Sequence, residues 1–552
     1  MMTVTSVFEA FKQRTADIHL WAGEGKVQTW TAAQLRTQAQ ACCEEFERMG
    51  VAAGDTVVIA ADTSLAVIAC IFGAWGCGAA VAIPPPLNST SSQGARGRFL
   101  EFLRPKLFVS GQADETLDTA ASPECAVISI EGLAALAPSV RDFGVAPCMD
   151  DVALIQMTSG STGLPKGIGI THKMLAANCA AIVDRTEAQA SDHAVSWLPL
   201  NHDMGFGVTA ASIMAGLALT LIPSSVFMRS PSTWFEAISR QRGSISASPA
   251  FACSLMATIA RRLARTGVDL SSLRYLIVGA EPIFAAHLQS FETAMRPFGL
   301  RENVVKPAYG LAEAVVAVTC TDAAAPYRVI HVDGHALRTL GVITKLSDGT
   351  PGALPFVSNG KPLPNYKVKI VDQDGMDAPS GIEGSLYIAG PSVAASYMGN
   401  ADADKFHDEW FDTGDLGFID EGEVFICGRR RDLIIRGGVN ISPSRIEWAV
   451  EELLGLRQGQ VATFSVLDHE KSKETIVAVI GKMTHPAEAA QDRLRIGRAV
   501  ADAVSVQLDH IVFVRSSCIP RTTSGKVQRT RAREMFLRNE FSTSLEDSHG
   551  PL

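Results

Sequence analysis

The sequence predicts an α/β protein with a large N-terminal part built on parallel sheets and a small α+β part at the C-terminus. Short apolar runs alternate with helical patterns through most of the chain, which is typical of βα units. After about residue 356 the pattern changes to short strands separated by turns, which indicates a small β-rich subdomain. A charged segment at residues 428–432 then precedes ~120 residues, enough for a small domain of its own.

The strands of the N-terminal part are predicted from its apolar runs. These runs lie at residues 56–60, 79–83, 106–110, 126–130, 218–222 and 275–278. Residues 65–83 and residues 205–228 carry no charge and reach the length of a membrane-spanning helix. Both stretches contain several glycines, and in an α/β core such a stretch is usually a buried helix followed by a buried strand. We therefore expect no integral membrane segment.

The later elements follow from shorter patterns. Strands are expected at residues 367–371, 384–388 and 423–426. Ser442 and Pro443 have the residue types of an N-cap and a first helical position. An apolar face at helical spacing follows them, at Ile446, Ala449, Val450, Leu453 and Leu454. The predicted organisation is an N-terminal domain at residues 1–427, a hinge at residues 428–432 and a C-terminal domain at residues 433–552.

Composition excludes several classes of protein. Of the 552 residues 47% are hydrophobic and 19% are charged, which is a globular composition. The 49 Lys and Arg against 58 Asp and Glu give a net charge of −9, so a nucleic acid is not the expected partner. The eleven cysteines include no C-x-x-C pair, so neither a zinc site nor a disulfide framework is indicated. With no apolar segment at the N-terminus to act as a secretion signal, we expect a cytoplasmic protein.

A loop at residues 157–168 is the strongest local signal of chemistry. It follows an apolar run and combines hydroxyls, glycines and one lysine: Thr158, Ser159, Gly160, Ser161, Thr162, Gly163 and Lys166. Backbone N–H groups freed by glycine, hydroxyl donors and a lysine suit a polyphosphate. The loop is not a Walker A motif, because Pro165 and Gly167 flank the lysine. An ordinary surface turn is the alternative.

Four further motifs point to a nucleotide. Tyr309 and Glu313 place an aromatic ring and a carboxylate four residues apart, which suits a base beside a metal–phosphate cluster. Residues 411–417 present Asp415 at a turn, where it could accept hydrogen bonds from ribose hydroxyls. Residues 428–435 join a charged segment to a buried strand, and residues 520–526 form a loop that ends in Lys526. Each alone also fits a turn or a solvated charge run, but the five motifs in this order favour a nucleotide site.

These motifs resemble those of the adenylate-forming superfamily, which contains acyl-CoA synthetases, nonribosomal adenylation domains and luciferases. Details resemble its fatty acyl-AMP ligases. Residues 197–205 are similar to that branch's acyl-pocket motif, with His202, Asp203, Met204 and Gly205. Residues 279–282, with Gly279, Ala280 and Glu281, resemble its adenine motif. The long segment at residues 321–360 resembles its insertion, placed at about residues 330–358, although the sequence alone indicates only a turn-rich connection.

The resemblance implies a role for each motif. Lys526 would contact the substrate carboxylate and the α-phosphate of ATP, residues 158–166 would cradle the β- and γ-phosphates, and Glu313 would hold Mg²⁺. The nucleoside would be bound by Gly279, Ala280, Glu281, Tyr309 and Gly310 at the adenine and by Asp415 and Arg429 at the ribose. Asp432 would be the pivot about which a mobile C-terminal domain turns between two half-reactions.

The implied reaction is ATP-dependent activation of a fatty acid, followed by transfer to the phosphopantetheine thiol of an acyl carrier protein. Because the sequence ends 26 residues after Lys526, we expect that carrier to be a separate protein. An acyl-CoA synthetase is the first alternative. An amino or β-amino acid substrate is the second, since amino-acid-activating relatives use an aspartate in this motif to bind the substrate ammonium, and Asp203 could do so if it faces the pocket. A nucleotide sensor without activity is disfavoured by the presence of Lys526 and Glu313.

Overall fold

The computed structural model describes residues 5–23, 25–84, 99–111, 125–144, 146–159, 165–400, 402–436, 439–468, 473–484, 486–504, 506–522 and 526–541. Its helices are α1 Val7–Gln13, α2 Ala32–Arg48, α3 Leu65–Gly76, α4 Ile130–Ala134, α5 His172–Thr186, α6 Asp203–Met214, α7 Ser224–Arg229, α8 Ser232–Gln241, α9 Ala250–Thr258, α10 Ala260–Leu263, α11 Ala285–Met295, α12 Gly334–Leu340, α13 Pro443–Leu454, α14 Pro486–Val504 and α15 Arg529–Leu537.

The strands of the first 320 residues are β1 Ile18–Trp21, β2 Val27–Trp30, β3 Thr56–Ala60, β4 Ala80–Ala82, β5 Leu107–Ser110, β6 Ala126–Ser129, β7 Val152–Ser159, β8 Pro165–Thr171, β9 His193–Ser196, β10 Ala218–Leu221, β11 Ile245–Pro249, β12 Tyr275–Gly279, β13 Val305–Tyr309 and β14 Thr319–Cys320. Those that follow are β15 Val329–Asp333, β16 Lys345–Leu346, β17 Ala353–Val357, β18 Lys361–Pro362, β19 Lys367–Val371, β20 Gly384–Ala389, β21 Phe406–His407, β22 Trp410–Asp420, β23 Glu423–Arg429, β24 Ile434–Arg436, β25 Val439–Ile441, β26 Val461–Asp468, β27 Lys473–Ile480 and β28 His510–Phe513.

Two large sheets form the N-terminal part. The first has the order β6-β5-β3-β4-β7-β8, and the second has the order β18-β14-β13-β12-β11-β9-β10-β1-β2. Pairing is parallel from β6 to β7 in the first sheet and from β13 to β1 in the second. Antiparallel strands lie at the β8 end of the first sheet and at both ends of the second. This confirms the predicted α/β fold with parallel sheets.

The two long uncharged stretches fold as the sequence predicts. Every residue of α3 is buried, and β4 follows it within the same sheet as β3. The second stretch forms α6 and then β10. None of the helices in the described ranges is both long enough and apolar enough to span a bilayer.

Helix α3 packs closely against α2. A Cβ atom on Gly73 would lie 2.7 Å from Cβ of Cys42, so a larger residue would push the two helices apart. The contact also brings the Sγ atoms of Cys43 and Cys77 to 3.4 Å from each other. All eleven cysteines are free thiols.

The β-rich subdomain is an antiparallel sheet with the order β19-β20-β22-β21, and β23 pairs with β22. Its strands begin where the sequence predicts, at Lys367, Gly384 and Glu423. The neighbouring segment at residues 321–360 differs from the expected turn-rich connection. It contains an antiparallel sheet with the order β16-β15-β17 and helix α12.

A small core explains why this segment folds. Its buried apolar residues pack with two phenylalanines of the β-rich subdomain: Val332, Leu337, Leu354, Phe356, Phe418 and Phe425. The strands are short, and the apolar surface they bury is completed by residues about 60 positions later in the chain. The segment therefore carries only a weak local pattern, and its structure was not predicted from the sequence.

Residues after 433 have their own sheets and cores, and we call residues 434–541 the C-terminal region. Its main sheet has the order β26-β27-β28, with β24 paired to β25 beside it. Helix α13 begins at Pro443 as predicted, although the Ser442 side chain makes no capping hydrogen bond. Ile446 and Val450 lie in a core with residues of β26, β27 and α14, which confirms the predicted apolar face.

Candidate functional site

A hydrogen-bond network joins the strands β13, β22 and β23. The Tyr309 hydroxyl at the end of β13 donates to Asp415 Oδ2 at 2.6 Å, and Arg429 Nε donates to Asp415 Oδ1 at 3.0 Å. The register of β22 and β23 sets Asp415 opposite Arg429, and Asp415 is only 5% exposed. The Asp415 charge raises the pKa of Arg429, and burial raises the pKa of Tyr309. Tyr309 therefore remains a neutral hydrogen-bond donor.

Two glycines allow the strand ends beside this network to approach each other. A Cβ atom on Gly310 would lie 1.7 Å from the carbonyl oxygen of Val316, which no side chain can tolerate. A Cβ atom on Gly279, at the end of β12, would lie 2.9 Å from the carbonyl oxygen of Ala308. Ala280 then takes a left-handed backbone conformation, with φ of +67°. The adenine motif and the end of β13 are thereby held together.

Glu281 points toward helix α9 and the C-terminal region. Its Oε1 accepts a hydrogen bond from the backbone N–H of Phe251 at 3.2 Å. Burial raises the pKa of Glu281, whereas the positive charges of Lys526 and Arg521 act in the opposite direction. The carboxyl group thus lies where the adenine motif meets the C-terminal region.

Glu313 lies in a short 3-10 turn, Ala312–Ala314, that follows β13. The Tyr397 hydroxyl donates a hydrogen bond to Glu313 Oε1, and the backbone N–H of Ala394 donates to the Glu313 carbonyl oxygen at 2.7 Å. Val315 directly after the turn has φ of +74°, an unusual conformation for a β-branched residue. Contacts from residues 394–397 therefore fix both the backbone and the carboxylate of Glu313.

Lys166 lies at the start of β8, beside the same tyrosine. Its Nζ makes an ion pair with Asp402 and lies 5.6 Å from the centre of the Tyr397 ring. Residues 158 and 159 pair with residues 166 and 165 between β7 and β8. The remaining predicted loop residues, Gly160, Ser161, Thr162 and Gly163, lie outside the described residues, as do the side chains of Thr158 and Ser159.

The acyl-pocket motif surrounds the start of α6. His202 Nδ1 lies 2.6 Å from Asp203 Oδ1, and the backbone N–H of Met204 donates to the same oxygen at 2.7 Å. Burial acts to raise the pKa of Asp203, but His202 and Lys526 outweigh it and lower the value to about 2. Asp203 is thus ionised and already hydrogen-bonded. A Cβ atom on Gly205 would lie 2.2 Å from the Pro199 carbonyl oxygen, so only glycine fits there.

An aromatic cluster lies next to this motif. Trp197 stacks on Phe227 with ring centres 3.7 Å apart, and it meets Trp234 and Phe251 edge-on at 6.1 Å. Met204 belongs to the same apolar core. The surroundings of residues 202–205 are therefore apolar on one side and charged on the other.

Lys526 belongs to the C-terminal region, but its charge acts on the N-terminal part. Its backbone N–H donates to Thr522 Oγ1 at 3.0 Å, and the Thr522 N–H donates to the Lys526 carbonyl oxygen at 2.8 Å. Its charge helps to lower the pKa of Asp203, and it opposes the rise that burial causes in the pKa of Glu281. The predicted lysine therefore lies within electrostatic range of the acyl-pocket motif and of the adenine motif.

Comparison with known proteins shows which family the chain belongs to. The family described as AMP-binding enzyme matches residues 7–398. The chain belongs to this family of adenylate-forming enzymes. It is an ATP-dependent, AMP-forming acid ligase, and it shares the fold of solved members of the superfamily.

Individual relatives of this AMP-binding enzyme carry different names. A Caulobacter vibrioides protein whose name places it among acyl-CoA synthetases is 29% identical over 98% of this chain and 96% of its own. The long-chain-fatty-acid–AMP ligase FadD32 of Mycolicibacterium smegmatis is 29% identical over 92% of this chain and 89% of its own. A structure from studies of fatty acyl-adenylate ligases of E. coli and L. pneumophila aligns with a TM-score of 0.88 and 27% identity, covering 97% of this chain and 98% of the other.

Asp432, the predicted pivot of this AMP-binding enzyme, lies in the 3-10 turn Arg430–Asp432 between β23 and β24. Arg529 Nη1 donates to Asp432 Oδ2 at 3.3 Å, and Arg529 also pairs with Glu447 at 2.7 Å. Asp432 is thus bound to the C-terminal region directly after the last strand of the β-rich subdomain.

Sequence reasoning missed two residues of the site, Tyr397 and Asp402. Tyr397 is 84 residues from its partner Glu313, and Asp402 is 236 residues from its partner Lys166. Neither residue lies in any of the motifs that point to a nucleotide site. Only the folded chain brings Tyr397 and Asp402 next to Glu313 and Lys166, the residues predicted to bind the metal and the phosphates.

Proposed function

We propose that the enzyme activates a fatty acid and passes it to an acyl carrier protein. In the first step, a carboxylate oxygen of the fatty acid attacks the α-phosphorus of ATP. The bond from that phosphorus to the β-phosphate oxygen breaks, so that acyl-adenylate forms and pyrophosphate leaves. In the second step, the phosphopantetheine thiol of the carrier attacks the acyl carbonyl carbon, AMP leaves, and the thiol gives up its proton to solvent.

The observation that carries this proposal is the position of Lys526. Its charge acts on Asp203 in the acyl-pocket motif and on Glu281 in the adenine motif. A cation that acts on both motifs would be suited to neutralise the charge that develops during attack on the α-phosphorus. Lys526 would therefore contact the reacting carboxylate and the α-phosphate.

The nucleotide and the metal would use the rest of the site. Asp415 and Arg429 would bind the ribose, and Tyr309 would line the adenine site. Lys166 would leave its ion pair with Asp402 and bind a phosphate of ATP instead. Glu313 suits Mg²⁺, because one carboxylate oxygen is fixed by Tyr397 and the other can accept the metal. When bound, Mg²⁺ would neutralise charge on the phosphate oxygens.

For the second step, the C-terminal region would turn as a domain about Asp432 so that the carrier's thiol can reach the adenylate. The segment at residues 329–357 bears on this step because it touches both parts of the protein. Arg445 of α13 lies 4.1 Å from the Phe356 ring centre, and Arg338 of α12 donates to the Ala503 carbonyl oxygen at 3.3 Å. We propose that these contacts restrict how the domain turns and so favour a carrier over coenzyme A.

Acyl-CoA synthesis is a second candidate, since the Caulobacter relative carries that name. An amino acid substrate is less well supported. The Asp203 carboxylate that would bind its ammonium group already pairs with His202 and with the N–H of Met204. An unpaired ammonium beside the aromatic cluster would also be costly.

A mass-spectrometric endpoint assay tests the proposal. The protein would receive ATP, Mg²⁺ and a mixture of fatty and amino acids, with either coenzyme A or a holo carrier protein as acceptor. Fatty acyl-adenylate that loads the carrier but not coenzyme A is the expected result. Rapid acyl-CoA formation would show that the enzyme is an acyl-CoA synthetase. Formation of an aminoacyl-adenylate would show that the substrate is an amino acid and not a fatty acid.

The variant Lys526→Ala tests the role of the lysine. We expect acyl-adenylate formation to fall on the order of 10²–10³-fold, as for other groups that stabilise transition-state charge. Lys173→Ala is the control, because Lys173 is an exposed lysine of α5. Unchanged adenylate formation in Lys526→Ala would reject the assignment.

A further inference from the structure

A glutamine of the C-terminal region reaches into the adenine motif. Gln458 lies in the turn between α13 and β26, and its side chain leaves that region to meet residues directly after Glu281. Its Nε2 donates to the Pro282 carbonyl oxygen at 2.9 Å, and its Oε1 lies 3.2 Å from His287 Nδ1. Gln458 is 7% exposed, so both ends of the amide are shielded from water.

The chemistry of the three groups fixes their arrangement. The Pro282 carbonyl can only accept a hydrogen bond, so it must face the NH₂ end of the amide. The amide oxygen can likewise only accept, so His287 Nδ1 must carry a proton and donate it. Burial lowers the pKa of His287, but Nδ1 keeps this proton in the neutral ring as well as in the charged one. Each end of the amide thus makes one hydrogen bond to the N-terminal part.

An aromatic contact lies beside the glutamine. Trp448 of α13 stacks on Phe284, with ring centres 5.8 Å apart and planes inclined by 14°. Phe284 lies between Pro282 and His287 in the chain. Contacts from the C-terminal region therefore hold residues 282–287, which run from the end of the adenine motif into the first turn of α11.

The same turn also supports the loop of Lys526. A Cβ atom on Gly459 would lie 2.7 Å from Arg521 Nη1 and 3.6 Å from Val527 Cγ2. Arg521 and Val527 pair with each other across the base of that loop. Gln458 is thus one residue from the point where the turn packs against the base of the lysine loop. A displacement of the turn would move Lys526 relative to the adenine motif.

We propose that Gln458 is a positioning residue for adenylate formation, which docks the Lys526 loop on the adenine motif through Pro282 and His287. This inference rests on the proposed function, in which Lys526 acts in the first half-reaction and the domain turns away for the second. Because Gln458 leaves the adenine motif when the domain turns, it serves only the first half-reaction.

Gln458→Leu tests the proposal, since leucine keeps most of the volume and removes both hydrogen bonds. ATP–pyrophosphate exchange measures adenylate formation, and single-turnover transfer from isolated acyl-adenylate to the thiol acceptor measures the second step. We expect kcat of exchange to fall about tenfold, KM for ATP to change by less than about twofold, and transfer to stay unchanged. His287→Ala, which removes one of the two bonds, should lower kcat of exchange by a smaller factor.

Gln460→Leu is the matched control. Gln460 lies two residues later and also uses both ends of its amide, but inside the C-terminal region, with Ser516 Oγ at 2.9 Å and the Arg457 N–H at 2.9 Å. Thermal unfolding of both variants would reveal any general loss of stability. The control should leave the ratio of the two half-reactions at its wild-type value.

Several results would overturn the proposal: unchanged exchange in Gln458→Leu, an equal fall in both half-reactions, an equal effect in Gln460→Leu, or a rise in KM for ATP at unchanged kcat. If Gln458→Leu does not fold, His287→Ala decides by the same criteria. If Lys526→Ala abolishes exchange while Gln458→Leu and His287→Ala leave it intact, only the positioning role is rejected. If the wild-type enzyme forms no acyl-adenylate, the proposed function fails and this inference with it.

Discussion

Removing the Tyr397 hydroxyl should raise the Mg²⁺ concentration that this enzyme needs for activity. The hydroxyl donates to Glu313 Oε1, and Tyr397 is only 4% exposed. In Tyr397→Phe the ring stays, so its packing against Phe406 and its position beside Lys166 are kept. The change therefore removes one hydrogen bond to the carboxylate that we assign to the metal, and little else.

The size of the effect follows from the kind of bond that is lost. A hydrogen bond to a charged group contributes about 1.5–3 kcal/mol. Removing the partner that orients a metal-binding carboxylate typically weakens metal binding about 10- to 100-fold. Since Glu313 keeps its backbone contact with Ala394, we expect the lower end, about a tenfold rise in the Mg²⁺ concentration that gives half-maximal activity.

The assay is ATP–pyrophosphate exchange at fixed ATP over a range of Mg²⁺ concentrations. Tyr327→Phe is the matched control, because the Tyr327 hydroxyl donates to Glu292 Oε2 at 3.0 Å, outside the site. This control should lose a similar hydrogen bond without changing the Mg²⁺ requirement. An unchanged or lower requirement in Tyr397→Phe would refute the argument that the tyrosine orients a metal ligand.

Two further predictions concern backbone packing and charge. Gly310→Ala should destabilise the fold by about 1–3 kcal/mol in urea unfolding, because its Cβ would overlap the Val316 carbonyl oxygen. Gly497→Ala in α14 is the control, because a Cβ atom there would have no atom within 4 Å, and it should be neutral or stabilising by up to about 1 kcal/mol. Equal changes in the free energy of unfolding of the two variants would contradict the steric argument. The pKa of Asp203 is lowered to about 2 from 3.8, so its ionised form contributes about 2 kcal/mol of stability above pH ~4. The stability difference between wild type and Asp203→Asn should shrink by about half at pH 3, and a difference that grows on acidification would show the opposite sign.

The sequence by itself determined the fold class and most of the site's local parts. Strand β3 and helix α13 begin at the predicted residues, because apolar periodicity and a proline at the first helical position act over a few residues. Gly205 and Gly310 stand where a Cβ atom would strike a backbone carbonyl, which is why these positions form part of recognisable motifs. The hydrogen-bonded set of Tyr309, Asp415 and Arg429 consists entirely of residues that the motifs pointed to.

Only the tertiary structure decided how the motifs are completed. Three hydrogen bonds of the site join residues far apart in the sequence. They are Tyr397 to Glu313, 84 positions apart, Lys166 to Asp402, 236 positions apart, and Gln458 to Pro282, 176 positions apart. The sheet at residues 329–357 likewise depends on Phe418 and Phe425 for its core. A hydrogen bond or an apolar contact of this kind leaves no periodic trace near either partner. Its existence depends on the path of the whole chain, which is set by burial of all the cores together.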